Sequence, residues 1–172
     1  MKSRLEISDS TLICRDDAGQ AGWMSNIDDL ILIAEYTTDE GPWIDDYFFV
    51  FVTSEKGAAY FSKCTFYAAG VNEVLTELSL RLEFPLKPGL CGSMTCLSRV
   101  MWPAQLENTQ YFEFTEVATE SLWSKLRKSV LGAQLEYTIS DPVREYIRRT
   151  TRARVSAEIE NSTDEPEGQV IQ

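Results

Sequence analysis

Apolar and polar positions in the first sixty residues follow a short period, in runs separated by turn residues. Residues 5–15 alternate imperfectly, and residues 30–37 (LILIAEYT) are apolar almost throughout. Alternation and branched or aromatic runs favour strands. Residues 47–53 and 58–62 are two further runs separated by the turn sequence SEKG, which predicts a hairpin. We therefore expect a meander of five or six antiparallel strands.

The period changes at residue 71. The apolar positions that follow are spaced as one face of an amphipathic helix, and they are Val71, Val74, Leu75, Leu78 and Leu82. Two prolines and a glycine in residues 84–89 end this helix. We expect a second short helix over 90–101 and a late strand over 111–116. The predicted fold class is α+β: a bent antiparallel β-sheet capped by an amphipathic helix, with a helical C-terminal extension.

Beyond residue 119 the pattern is helical and basic. Residues 121–132 and 141–154 each place apolar positions on one side, and an Asp-Pro pair suits the start of the second helix. The predicted organisation is a sheet-plus-helix domain over 1–118, a basic helical extension over 119–157 and an acidic disordered tail over 158–172.

Charge is unevenly distributed over these segments. The formal net charge is −11. Residues 1–120 hold 8 Lys+Arg against 19 Asp+Glu, whereas residues 121–155 hold 8 against 3. An acidic domain repels nucleic acid and anionic lipid at long range. Nucleic acid is therefore an unexpected partner, except through the basic segment.

Composition removes most catalytic classes. The chain has no histidine, which excludes His-ligated zinc, Ser–His and Cys–His nucleophile pairs and histidine acid–base catalysis. The four cysteines lack the two tight pairs of a Cys₄ zinc site, so free thiols are expected. No phosphate-binding glycine loop or nucleophile motif occurs. We expect no enzyme activity, no metal and no cofactor.

The amino terminus has no apolar signal-peptide core, and no run of about 18 apolar residues could span a membrane. A cytoplasmic location without a transmembrane segment is the expectation.

Three stretches carry a resemblance. They are IDDL at 27–30, TTDEGPWIDDYFFV at 37–50 and NTQYFEF at 108–114. On these, residues 4–116 resemble a family of short, uncharacterised bacterial cytosolic proteins. Ile27 and Phe114 stand where that family often has tryptophan, and Ser62 stands where it has a proline. The family carries no established activity, so the resemblance implies a fold. The order of elements is similar to pleckstrin-homology-like and GRAM-like domains, bent antiparallel sheets capped by a helix that bind peptides or lipid head groups.

The second of these stretches also holds the first candidate site. Its acidic residues and tryptophan are a predicted contact surface, made of Asp39, Glu40, Trp43, Asp45 and Asp46. Gly, Pro and Trp interrupt the spacing that a calcium loop needs. Adjacent aspartates in a strand would point to opposite faces, which disfavours a paired-carboxylate enzyme. Turn chemistry that starts a core strand is the competing interpretation.

The second candidate is a basic patch on the last helix, Arg144, Arg148, Arg149 and Arg152, with Arg154 beyond it. It could bind an anionic membrane or nucleic acid. It could equally offset the acidic domain or the acidic tail, within or between subunits, which leaves a homo-oligomer open.

These features favour a non-catalytic binding module that recognises a protein partner through an acidic surface, such as an immunity protein that neutralises a basic toxin. The alternatives are an anionic lipid or nucleic-acid binder acting through the basic helix, and an enzyme that uses carboxylates alone.

Overall fold

The chain folds as an α+β protein in which all strand pairings between named strands are antiparallel within the described residues. A computed structural model describes residues 3–39, 44–93, 95–116 and 135–163. The strands are β1 Arg4–Ser8, β2 Thr11–Arg15, β3 Ala21–Asn26, β4 Leu30–Thr37, β5 Tyr47–Glu55, β6 Ala58–Thr65, β7 Ser98–Trp102, β8 Phe112–Glu116 and β9 Leu135–Ile139. The α-helices of these described residues are α1 Val71–Arg81 and α2 Asp141–Thr163.

The strands form three sheets. One has the order β1-β2-β3, the second β6-β5-β4-β7, and β8 pairs with β9. A short 3-10 turn, Ile27–Asp29, carries the chain from the first sheet into the second. The predicted meander of the first sixty residues is confirmed as six strands, divided between two sheets.

Local chemistry explains the tight turns. The Asp16 carboxylate accepts hydrogen bonds from the backbone N–H groups of Ala18 and Gln20 at 2.9 Å, which closes the β2–β3 turn. Between β5 and β6, Lys56 and Gly57 both have positive φ, 49° and 80°. Positive φ at both central residues of a two-residue turn matches the right-handed twist of the two strands that the turn joins. The predicted hairpin is therefore confirmed.

Helix α1 lies against β1 and contributes its apolar side to the cluster shared by the first two sheets. Its buried side chains are Val71, Val74, Leu75 and Leu78, as the spacing predicts. The helix begins after Gly70, whose φ is +83° and whose missing Cβ leaves space for the Leu5 carbonyl oxygen.

Two apolar clusters lie on opposite faces of the second sheet. The first joins that sheet to β1–β3 and α1, and includes Leu5, Leu12, Ile33, Phe49, Phe51 and Leu78. The second cluster joins the second sheet to α2 and to the start of β8. It includes Leu32, Val50, Val52, Tyr111, Val143 and Ile147. Because β4 and β5 supply both clusters, their near-continuous apolar sequence follows from burial on both faces.

Three expectations about elements need correction. The segment 90–101, expected to be helical, contains strand β7, because pairing with β4 satisfies its backbone groups. The expected helical extension contains strand β9 before α2 begins. Helix α2 continues to Thr163, whereas disorder was expected from 158.

The predicted helix over 121–132 and the predicted boundary at 118 lie outside the described residues, so the division into domains stays a prediction. Across that gap in the description, β8 pairs with β9 from Phe112↔Ile139 to Glu116↔Leu135. Val143 and Ile147 of α2 are buried against the second sheet.

Candidate functional site

The acidic loop is positioned by the open end of the β4–β5 hairpin. Thr37 and Tyr47 are the last register partners of these strands, and the Thr38 N–H donates to the Asp46 carbonyl at 2.8 Å. Asp39 and Asp45 flank this bonded pair and are exposed. The structure therefore places these two predicted contact residues at the same end of the second sheet. Glu40 and Trp43 lie outside the described residues.

Asp46 is held in place by a neighbouring aromatic residue. The Tyr67 hydroxyl donates to Asp46 Oδ1 at 2.8 Å. This hydrogen bond raises the pKa of Tyr67 above its ordinary value, and burial and the negative charges of Asp46 and Asp45 raise it further. The Tyr67 hydroxyl therefore orients one carboxylate of the loop through this hydrogen bond.

Apolar side chains accompany the carboxylates. Ile44 is 62% exposed and Tyr67 is 44% exposed. We call Asp39, Ile44, Asp45, Asp46 and Tyr67 together the acidic end. Exposed apolar and aromatic side chains surrounded by charge are the usual composition of a protein interface.

The carboxylates of the acidic end have no cationic partner within the described ranges, since none of Asp39, Asp45 and Asp46 lies within ion-pair distance of a lysine or arginine there. Lys63, on the neighbouring strand, lies over the Phe48 ring at 5.0 Å from its centre. The negative charge of this surface is thus uncompensated by the described side chains.

A cation site is not assembled from the part of the chain that the structure describes: no group of three or more cysteine, aspartate or glutamate residues could hold a metal ion there. Two surface depressions of about 380 and 340 Å³ lie beside α1, and neither is lined by the acidic end.

The basic patch on α2 is partly neutralised by its own helix. Arg144 pairs with Asp141 at 2.9 Å and also donates to the Ile139 carbonyl oxygen. Arg148 pairs with Glu145 at 2.5 Å. These are exposed pairs three residues apart, which lowers the net positive charge of the helix surface.

Arg154 has a structural contact. Its guanidinium donates to the Leu30 carbonyl oxygen at 3.0 Å and lies 3.5 Å from Asp29 Oδ1. It therefore ties α2 to the start of β4. Arg149 and Arg152 are exposed, and no carboxylate among the described residues pairs with either. The candidate basic patch is thereby reduced to these two side chains.

Sequence reasoning missed a buried polar network around Glu35. This carboxylate is fully buried on β4 and accepts from Arg99, from the Tyr47 hydroxyl and from the Gly89 N–H. Burial is the largest cause that raises the pKa of Tyr47, followed by its bond to Glu35. The sequence feature that could have revealed this network is the single glutamate inside the apolar run LILIAEYT.

The Glu35 network is suited to structure and not to chemistry on a substrate. Both carboxylate oxygens are occupied by donors from the chain itself. Arg99 also donates to the Lys87 carbonyl and to Asn108 Oδ1. The network thus attaches the segment after α1, which includes Lys87 and Gly89, to the central strand.

Comparisons with protein-family models, with curated proteins and with solved structures find no match to this chain. Neither helix of the described residues is both long and apolar enough to cross a membrane. Within the described residues the fold is α+β, and the acidic end combines exposed carboxylates with exposed apolar side chains.

Proposed function

We propose that this protein is a non-catalytic cytosolic binding module that recognises a protein partner through the acidic end. The supporting observation is that Asp39 and Asp45 are exposed and form no ion pair with a described lysine or arginine, at the same end as the exposed side chains of Ile44 and Tyr67. Burial of such apolar groups provides affinity, and the unpaired carboxylates select a complementary charge.

The partner is a basic protein surface. A net charge of −11 gives long-range attraction toward cations, which accelerates association. Lysines or arginines of the partner would pair with Asp39 and Asp45, while an apolar side chain covers Ile44 and Tyr67. Neutralisation of a basic toxin or enzyme, as in immunity proteins, is the biological setting that fits this chemistry.

The fold proposal is a pleckstrin-homology-like outline, meaning bent antiparallel sheet capped by a helix. It is supported by α1, which shares one apolar cluster with the first two sheets, and by the two consecutive antiparallel sheets. In this outline the acidic end lies at the open end of the β4–β5 hairpin.

The test is affinity capture from cells that express the full chain, with bound proteins identified by mass spectrometry. The bait variant is Asp39→Asn/Asp45→Asn. Its matched control is Asp17→Asn/Asp28→Asn, which makes the same charge change at two exposed positions outside the acidic end. We expect a basic partner that the control retains and the acidic-end variant loses.

Two results would contradict the proposal. One is a partner captured equally by wild type and by both variants. The other is a set of partners whose surfaces are all acidic or neutral.

A second candidate function is binding of a polyanion through α2. Within the part of the chain that the structure describes, its support is Arg149 and Arg152, the exposed arginines of the patch that no described carboxylate neutralises. Two arginines on a protein of net charge −11 give weak attraction for nucleic acid or anionic lipid.

A further inference from the structure

Cys14 and Cys64 lie in contact although 50 residues separate them in the chain. Cys14 is on β2 of the first sheet and Cys64 is on β6 of the second, and their sulfur atoms are 3.7 Å apart. Cys64 is 3% exposed, and Cys14 is half-buried. Both are free thiols.

The backbone around this pair is already held together. Trp23, the register partner of Cys14, donates its indole N–H to the Lys63 carbonyl at 2.8 Å. Cys14 and Cys64 are therefore fixed next to each other by an independent contact between the same two sheets. A disulfide requires an S–S separation of about 2.0 Å, so each sulfur has to move by less than about 1 Å. Side-chain rotation of that size needs no separation of the sheets.

We propose that Cys14 and Cys64 form a reversible disulfide that links the two sheets when a peroxide oxidises the protein. In a reducing compartment such a bond would be transient, which is the usual character of disulfides there.

The two thiols have different roles in this reaction. Cys14 has the route to solvent, so it meets the peroxide first. The pKa of Cys14 is lowered because the Cys64 thiol can donate a hydrogen bond to its thiolate, although burial opposes part of that shift. The pKa of Cys64 is raised by the same hydrogen bond and by burial, and the charge of Asp45 adds to this. Cys64 therefore stays protonated until Cys14 is oxidised, and it then acts as the resolving thiol that attacks Cys14.

The oxidation takes place in two steps. The Cys14 thiolate attacks one peroxide oxygen, the O–O bond breaks, and the departing hydroxide takes up a proton as water. This leaves a sulfenic acid on Cys14. The Cys64 sulfur then attacks Cys14 Sγ, the S–O bond breaks as the S–S bond forms, and the hydroxide leaves with the Cys64 proton as a second water. Two electrons pass from the two thiols to the peroxide, and a dithiol reductant reverses the change.

The experiment uses the full chain and a Cys91→Ser/Cys96→Ser variant. Cys91 is exposed and Cys96 is half-buried, so this variant removes the two competing thiols with little effect on the core. Each protein is treated with hydrogen peroxide, free thiols are alkylated under denaturing conditions, and the tryptic peptides are read by mass spectrometry. We expect a linked peptide that contains Cys14 and Cys64, present in both proteins and lost after dithiothreitol.

Two single variants in the Cys91→Ser/Cys96→Ser background separate the roles. Cys64→Ser should trap a sulfenic acid on Cys14 that reacts with dimedone. Cys14→Ser should leave Cys64 alkylatable after the same treatment. Circular dichroism of each variant checks the fold, and Cys64→Ala replaces Cys64→Ser if the serine variant does not fold.

The proposal is overturned if Cys14 and Cys64 both remain alkylatable while Cys91 and Cys96 oxidise. It is also overturned if the linked peptides join Cys14 or Cys64 to a different cysteine, or if Cys64 in the Cys14→Ser variant oxidises as fast as Cys14 in the Cys64→Ser variant.

Discussion

Arg99 and Glu35 are direct register partners across β4 and β7, and they form an ion pair in which the glutamate side chain is completely buried. Arg99 reaches this carboxylate while its other nitrogens donate to the Lys87 carbonyl and to Asn108. The pair therefore connects the edge strand, the central strand and the segment that follows α1. A carboxylate in such a position depends on its partners for stability.

Replacing Arg99 by alanine should lower the free energy of unfolding by about 3–5 kcal/mol, because it leaves Glu35 buried without its countercharge. Urea unfolding followed by tryptophan fluorescence measures this change. The matched control is Arg81→Ala, which removes an exposed pair with Glu77 on α1 and should change stability by less than about 1 kcal/mol. Equal effects of the two substitutions would show that Glu35 does not depend on Arg99.

Replacing Gly89 by alanine should destabilise the fold by about 1–3 kcal/mol through steric overlap. A Cβ at residue 89 would lie 2.5 Å from Cζ of Arg99, and the bonds to Glu35, Lys87 and Asn108 prevent that guanidinium from moving aside. Thermal or urea unfolding measures the change. Gly22→Ala is the control, since a Cβ there meets only the Cys14 carbonyl oxygen at 3.5 Å. A Gly89→Ala protein as stable as Gly22→Ala would contradict the described position of Arg99.

Stability should fall at alkaline pH, in part because of Tyr47. Its pKa is raised above the ordinary value by burial and by Glu35, so the folded state holds the phenol proton more tightly than the unfolded state. That contribution is complete below the unfolded pKa of about 10 and is lost as pH rises toward the folded pKa, by about 1.4 kcal/mol per pH unit.

Tyr47→Phe should therefore reduce the slope of unfolding free energy against pH above about pH 10, by one proton's contribution. At neutral pH it should lower stability by about 1.5–3 kcal/mol, because a hydrogen bond to a buried carboxylate is lost. Urea unfolding at several pH values gives both quantities. An unchanged alkaline slope in Tyr47→Phe would contradict the raised pKa. Tyr111, whose pKa is raised chiefly by burial, should maintain part of the slope in that variant.

The chain should pass through a heparin column at 0.15 M salt without retention. Arg144, Arg148 and Arg154 have acidic or carbonyl partners, and the other two arginines of the basic patch, Arg149 and Arg152, do not overcome the net charge of −11. Retention that disappears in Arg149→Gln/Arg152→Gln would instead favour the polyanion-binding alternative. Both substitutions are at exposed positions, so the fold should be unaffected.

Much of the fold follows from local pattern. The runs of β4 and β5 and the helical spacing from Val71 to Leu78 predict those elements because their apolar faces repeat at the period of a strand or a helix. Strand β7 lies in a segment for which the sequence predicts a helix. Its strand conformation depends on pairing with β4, which is distant in sequence, so the local pattern does not reveal it. The continuation of α2 past residue 158 runs against an acidic composition that is typical of disorder.

The candidate site, like the fold, could be predicted from the sequence only in part. The exposed positions of Asp39 and Asp45 were predictable from a polar loop between two apolar runs. The bond from Tyr67 to Asp46 was not, because it joins residues 21 positions apart. The Cys14–Cys64 contact was missed for the same reason, since its 50-residue separation carries no local signal. Glu35 could have been singled out, because a charged residue inside a buried strand requires a partner.

The acidic end is tested most directly by the salt dependence of association with the captured partner. The association rate constants of wild type, Asp39→Asn/Asp45→Asn and Asp17→Asn/Asp28→Asn are measured by stopped flow over a range of ionic strengths. We predict that the wild-type rate falls steeply with salt, that the acidic-end variant is slower and less salt-dependent than the control, and that the three rates converge at high salt. A wild-type rate that is independent of salt, or two double variants with identical rates at every salt concentration, would contradict recognition through the acidic end.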